Sequence, residues 1–458
     1  MPESEYRTTP FKTEKMPPGV PYIVGNEAAE RFSYYGLNSI LVIFMAKYML
    51  DAHGHPDHLS EKQAEAWYHT FVSAVYFLPL AGAFLADAIL GKYRTILILS
   101  VVYCFGHFVL AINDTRVGLI CGLSLVAMGA GGIKPCVSAN VGDQFGPSNQ
   151  HLLTRVFSWF YFSINIGSAV STILIPDFLN RLGPRVAFGT PGLAMLIATV
   201  IFWLGRKKFV HIPPTGLARY GRELGQAENL KALGNLLILV PFAAMFWALW
   251  QQNFSSWVLQ ADKMDRFLFG REWLPNQIQT VNPLFVLGML PLFSYVIYPA
   301  VGKVVRVTPL RKFGAGLFML VFAFLIVGWI QTRIDAGERP HIIWQILAFL
   351  VLTAGEVMVS VTHLEFAYTQ APKSMKSLVM CTYLGSVALG NVFTAWVNFF
   401  IQNPDGSVKL AGANYFFFFV KVMLGTGVIF LCVAPFYRGK TYIQDDTEGA
   451  TAIPTQQT

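Results

Sequence analysis

Apolar runs about twenty residues long alternate with short polar breaks along almost the whole chain. Three of them, 95–113 (TILILSVVYCFGHFVLAIN), 186–205 and 313–332, contain no Asp, Glu, Lys or Arg. Each is the length of helix that crosses a hydrocarbon core of roughly 30 Å. Spanning strands would be shorter and strictly alternating, which these are not. Reading every run against its breaks predicts spans at 22–50, 65–89, 94–113, 117–142, 153–175, 186–204, 233–261, 277–301, 311–331, 341–370, 376–401 and 413–436. The pattern therefore predicts an all-α membrane protein with twelve transmembrane helices.

Lys and Arg outside these spans are about twice as frequent on the side of the N-terminus as on the other, which predicts that both termini are cytoplasmic. The longest break, 205–232 (GRKKFVHIPPTGLARYGRELGQAENLKA), follows the sixth span and reads as a cytoplasmic linker. It divides the chain into a 1–21 cytoplasmic segment, a six-helix bundle at 22–204, a second bundle at 233–437 and a polar tail at 438–458 expected to be disordered. "GKYRT" at 91–95 and "GKVVRVT" at 302–308 follow the second span of each half, a faint internal repeat.

Composition agrees: 54% of the 458 residues are hydrophobic and 13% charged, against roughly one quarter charged in soluble domains. The net charge of +8 resides in short loops without an aromatic platform, so no nucleic-acid partner is expected. The five cysteines have no CxxC or metal-ligand spacing, so no disulfide and no metal are expected. The first twenty residues lack a short apolar core; no cleavable signal peptide is expected, and the first span serves as its own insertion signal.

The exceptions to the apolar pattern carry the chemistry. "GNEAAERFSYYGLN" at 25–38 places Glu27, Arg31, Tyr34 and Asn38 on one face of the first span, with Glu30 at its edge and Tyr35 at the opposite margin. A charge near the membrane centre costs at least about 2.5–3.5 kcal/mol, so it needs a partner or a wet cavity. A static Glu–Arg pair would need one acid, whereas two acids against one base leave a carboxyl able to change its protonation, as a proton relay requires. Lys134 follows the small residues of "GAGGIKP", where snorkelling to the surface is the bland alternative. Glu356 lies near the middle of the tenth span. If the halves repeat, Lys134 and Glu356 sit at similar depth in opposite bundles, complementary to a zwitterion. That argument selects a coupled transporter without naming its substrate.

The string Glu27-Ala-Ala-Glu30-Arg31-Phe32 with Tyr34-Tyr35 resembles the opening motif ExxERFxYY of the proton-coupled oligopeptide transporter family. "GAFLADAILGKYRT" (82–95), "GGIKPCVSANVGDQF" (131–145), "FSWFYFSINIGS" (157–168), "FWALWQQ" (246–252), "QTVNPLF" (279–285) and "AGEVMVSVTHLEFAYTQAPKSMKS" (354–377) extend the resemblance over about 20–437. It implies a major facilitator fold and import of di- and tripeptides driven by a proton gradient, with no cofactor and no enzymatic activity. It further implies that Arg31 and Lys134 meet the peptide carboxyl end and Glu356 the amino end. Tyr34, Tyr35, Asn165 and Trp250 would line the cavity, with Trp247 and Gln252 as further candidates, while Glu27 and Glu30 handle the proton. "AWYHTFV" at 66–72 resembles the animal branch, in which the histidine matching His69 is tied to proton handling; a packing histidine is the alternative.

Two departures stand out. Gln251 occupies a position where an acidic gate residue is common, and His363 one where glycine is common. No segment matches the two extra helices of many bacterial members, and 332–340 is far shorter than the extracellular domain of the animal ones. Compact loops favour a bacterial inner membrane. The rival readings are a carrier of another small organic anion or drug, and a non-transporting membrane receptor. Oligomeric state is not legible.

Overall fold

The computed structural model describes residues 6–214, 216–224, 234–369, 376–403, 405 and 407–437. The expected disordered tail at 438–458 and most of the second half of the linker, 225–232, lie outside them.

Sixteen helices account for most of the described residues: α1 Val20–Lys47, α2 Glu61–Phe77, α3 Pro79–Phe84, α4 Lys92–Ile112, α5 Arg116–Gly142, α6 Leu153–Leu182, α7 Pro184–Leu204 and α8 Leu217–Leu224. They continue with α9 Val240–Trp250, α10 Ser256–Asp262, α11 Val281–Leu292, α12 Tyr298–Gly302, α13 Pro309–Asp335, α14 Ile343–Thr369, α15 Lys376–Phe400 and α16 Ala413–Val433. A two-residue hairpin, β1 Phe267–Leu268 and β2 Arg271–Glu272, joins α10 to the segment before α11.

Among the described residues, nine helical segments are long and apolar enough to cross a membrane. The protein is an integral, multi-pass membrane protein. Two further long segments fall short for physical reasons. In α1 the stripe Glu27, Glu30, Arg31 and Asn38 lowers the mean hydropathy. The predicted 233–261 run is not one helix: α9 ends at Trp250, a 3-10 turn spans Gln251–Phe254, and Ser255 leaves helical geometry at φ −128° before α10 resumes. Side chains take over the carbonyls that the break frees, since lipid offers no hydrogen bonds. Gln252 and Thr394 both donate to Ala248 O (3.1 Å each), and Asn253 donates to Trp250 O (2.6 Å).

Helix starts follow local chemistry. Ser60 caps α2 reciprocally with Gln63, Gln63 N–H donating to Ser60 Oγ at 3.3 Å and Ser60 N–H to Gln63 Oε1 at 3.1 Å. Thr115 and Thr308 cap α5 and α13. Arg116, at the start of α5, grips Asp57 with two hydrogen bonds of 2.6 and 2.7 Å and holds that exposed carboxyl below its ordinary range. α6 continues seven residues past the predicted end at 175 and runs through Pro176; Arg181 pairs with Asp177 one turn earlier at 2.9 Å.

Packing follows one pattern twice. In the first half α4 packs on α5 and α7, and α1 on α6; in the second, α13 packs on α14 and α16, and α9 on α15. Across the halves α2 meets α15, and α6 meets the turn Pro275–Thr280 and α11. Hydrogen bonds and ion pairs between the halves gather at one end of the molecule, that of the 51–58 loop and the hairpin. There Lys47 pairs with Asp262, Lys263 with Glu61 (2.8 Å), Thr172 with Thr280 (2.9 Å), and Gln277 donates to Ile173 O (2.9 Å). This end is closed.

Candidate functional site

The polar stripe of α1 is buried against α5 and α6. Arg31 Nε donates to Glu27 Oε1 at 2.6 Å and lies 3.2 Å from Glu30 Oε2. Lys134 Nζ is 3.7 Å from Glu30 Oε1, an ion pair too long for a hydrogen bond, and stands 4.0 Å above the centre of the Tyr34 ring. Its side chain is only 5% exposed, so it does not snorkel. Two acids and two bases thus share one buried cluster. Among the described residues neither oxygen of Glu30, nor Lys134 Nζ, has a hydrogen-bond partner, which leaves those groups available to a ligand or a proton.

Backbone proximity creates this depth. A side chain at Gly167 would place its Cβ 2.7 Å from Ala28 O and 3.3 Å from Arg31 Cβ, so glycine lets α6 lie directly on the charged turn of α1. Gly82 and Gly132 bring the backbones of α3 and α5 into contact, and Gly131 meets Val75 O and Leu78. The glycines before Lys134 are therefore a packing seam that sinks α5 between its neighbours.

Glu356, on α14, is the acid of the other half. Its Oε2 accepts from Trp250 Nε1 at 3.0 Å and from Asn282 Nδ2 at 2.8 Å, and Asn282 also donates to Thr353 Oγ1 at 3.0 Å. Three helices, α9, α11 and α14, thus orient one carboxylate with neutral donors and no basic partner. Tyr35 and Tyr161 of the first half lie within electrostatic reach of it across the gap between the halves. Aromatic rings line that gap: Tyr34 against Tyr35 (5.5 Å), Tyr35 stacked on Phe254 (6.2 Å), and Trp250 against Trp247 (5.3 Å). Asn165 is buried on α6, its amide donating to Tyr161 O at 2.9 Å.

His69 stands apart from this cluster, in the closed end. Its Nδ1 lies 2.7 Å from Asn391 Oδ1 and its Nε2 3.0 Å from Ser255 Oγ, both in the second half. Asn391 Nδ2 donates to Val387 O, which fixes the amide, so His69 Nδ1–H is the donor and Nε2 accepts from the Ser255 hydroxyl in the neutral ring. Gln251 Oε1 accepts a long hydrogen bond from Tyr68 OH at 3.4 Å. Gln252 braces the helix break, donating to Ala248 O at 3.1 Å and accepting from Ser256 Oγ at 3.2 Å. His363 is buried edge-on to Tyr383, with no partner for Nδ1. Asn282, Thr353, Phe254, Asn391 and Ser255 had no role in the sequence reading; Asn282 lay inside a quoted motif, but its 74-residue separation from Glu356 hid the contact.

The sequence profile described as the POT family matches residues 93–219 and 217–416. The chain belongs to the POT family. Similar POT relatives include "Peptide transporter family 1" of Drosophila melanogaster, 36% identical over 70% of this chain and 48% of that one. "Solute carrier family 15 member 2" of Homo sapiens is 36% identical over 75% and 53%. The chain spans about half the length of the curated relatives it matches. Among solved POT structures, the POT family transporter PepTSo superposes with a TM-score of 0.84 at 35% identity, covering 92% of this chain and 99% of that one. An auto-inhibited POT family peptide transporter gives 0.83 at 34% identity, over 95% and 99%.

Proposed function

We propose that this POT member is a proton-coupled symporter that imports di- and tripeptides by alternating access around a central charged cavity. The observation that carries the reading is the two-ended charge layout. Arg31 and Lys134 are buried in one half, and Glu356, held among the described residues by neutral donors, is buried in the other. A short peptide presents a carboxylate and an ammonium at its two ends, which match Arg31 with Lys134 and Glu356 respectively. The names of the relatives, peptide transporters in fly and in solved structures, support this substrate class.

In this reading the fold is the twelve-helix major facilitator arrangement: bundles at 22–204 and 233–437, a cytoplasmic 1–21 segment, a cytoplasmic linker at 205–232 and both termini cytoplasmic. The repeated packing pattern and the loop charge bias support it. The closed end is then the outer one and the conformation inward-facing. Coupling follows from competition for Arg31. With Glu27 ionised, Arg31 is held by its own helix; a proton on Glu27 removes that partner and frees the guanidinium for the peptide carboxylate. Glu30 bridges Arg31 and Lys134 and passes the change between them. His69 holds the outer closure through Ser255 and Asn391, and a proton on its Nε2 would force the Ser255 hydroxyl to turn away. Tyr34, Tyr35, Asn165 and Trp250 line the peptide's path. The compact loops favour a bacterial inner membrane.

The test is uptake of a labelled dipeptide into proteoliposomes containing this chain alone under an inward-directed pH gradient. Accumulation above the external concentration, collapsing with a protonophore, is expected. Folded protein that shows no gradient-driven accumulation of any di- or tripeptide would end the reading.

A further inference from the structure

Beside His69, one helical turn toward the loop, α2 buries a carboxylate for which peptide transport as described has no use. Glu65 is 2% exposed, and both its oxygens accept from Lys62 Nζ, at 3.0 and 2.8 Å. The lysine does not stop there. Its ammonium lies 3.4 Å from the ring centre of Tyr415, on α16 in the other half, and Tyr415 is itself 1% exposed. A cation so placed is held from two sides, by a charge of its own helix and by the π-face of the opposite bundle. Shielding from water strengthens both interactions.

The location gives this contact a consequence. α2 packs on α15 across the halves, and Lys62, in the first turn of α2, lies at the closed end near the rim pairs Lys47–Asp262 and Glu61–Lys263, which are partly exposed and correspondingly weak. Opening this end must withdraw Tyr415 from Lys62, while Glu65 travels with Lys62 on the same helix. The ion pair survives the motion; the cation–ring contact does not. We propose that Lys62, Glu65 and Tyr415 are positioning residues for transport: Glu65 holds the ammonium on the ring of Tyr415, and this buried contact across the bundles sets how often the outer side opens. The inference rests on the alternating-access reading above, and its primary test needs no substrate.

Spin labels at Ala52→Cys and Ala411→Cys, exposed positions on the loops of opposite halves, report the opening of this end in the full chain in nanodiscs, with the native cysteines replaced. Lys62→Met and Tyr415→Leu should each raise the ratio of long to short distances about tenfold, the scale of a desolvated cation–π contact. Lys62→Arg and Tyr415→Phe, which keep the cation and the ring, should leave it unchanged. Combining Lys62→Met with Tyr415→Leu should add little to either alone, because the two remove one interaction. Glu65→Gln should shift the ratio in the same direction; Tyr415→Leu against Tyr415→Phe is the decisive pair, since neither strands a buried charge. Unchanged distances in Lys62→Met and Tyr415→Leu, or equal shifts in Tyr415→Leu and Tyr415→Phe, overturn the proposal. In uptake, the shifted variants should show a lower KM for external peptide and a lower kcat. A wild-type chain that moves no peptide would defeat the proposed substrate while the distance measurement still decided the latch.

Discussion

At the scale of single residues, the site is an arrangement of unequal partners. Arg31 is bound at 2.6 Å by Glu27 and more loosely by Glu30, so removing the first bond changes the guanidinium's freedom most. Glu27→Gln keeps the shape and deletes the titration. We expect it to abolish accumulation against a gradient while counterflow of peptide persists; accumulation at the wild-type level would take Glu27 out of the coupling. Glu356 presents the opposite case, a carboxylate with donors but no cation. Glu356→Gln should weaken peptides with a free amino group by about tenfold or more, the scale of a lost charge-assisted contact, and N-acetylated ones far less. Competition assays with matched pairs measure this, and equal losses would reassign the amino end. The charges themselves were legible in the sequence because an ionisable residue in an apolar run is costly. Their holders were not: Asn282 and Thr353 are ordinary polar residues until folding brings them to Glu356.

At the scale of helices, the site depends on how closely backbones approach. Gly167 leaves no room for a Cβ against Ala28 O, and leucine there must push α6 off the charged turn of α1. Gly167→Leu should lower the thermal midpoint, with overpacking costing about 1–3 kcal/mol, and should impair binding at Arg31. A thermal-shift assay in detergent checks the first and dipeptide binding the second; an unchanged melt would mean the seam can yield. Span positions were readable to within a few residues, since hydropathy dominates a membrane segment. Two features were not. α6 outruns its apolar stretch, because Asp177 and Arg181 satisfy one another on the continuing helix. The break in "FWALWQQNFSSW" has no glycine or proline to announce it; side-chain amides of Gln252 and Asn253 supply the bonds that make it tolerable.

At the scale of the whole molecule, two half-bundles with the same packing pattern meet through a rim of alternating sign. Lys47 faces Asp262 and Glu61 faces Lys263, each partner between 29% and 49% exposed. Exposed pairs of this kind are screened at a Debye length of about 8 Å in physiological salt and more strongly above it. Raising ionic strength should therefore favour outward opening, by at most a few-fold because such pairs are individually weak. The paired labels described above measure this directly, and a salt-independent distance distribution would leave the rim with no energetic part in closure.

The interruption at Ser255 gives the segment from Val240 to Asp262 two masters. Its longer piece presses the Trp250 indole on Glu356, while its shorter piece carries Asp262 to Lys47 at the closed end. The amides of Gln252 and Asn253 brace the joint, so a tilt of the longer piece carries the shorter one with it. A change in what Glu356 binds can in this way be felt at the far surface through a single polypeptide segment.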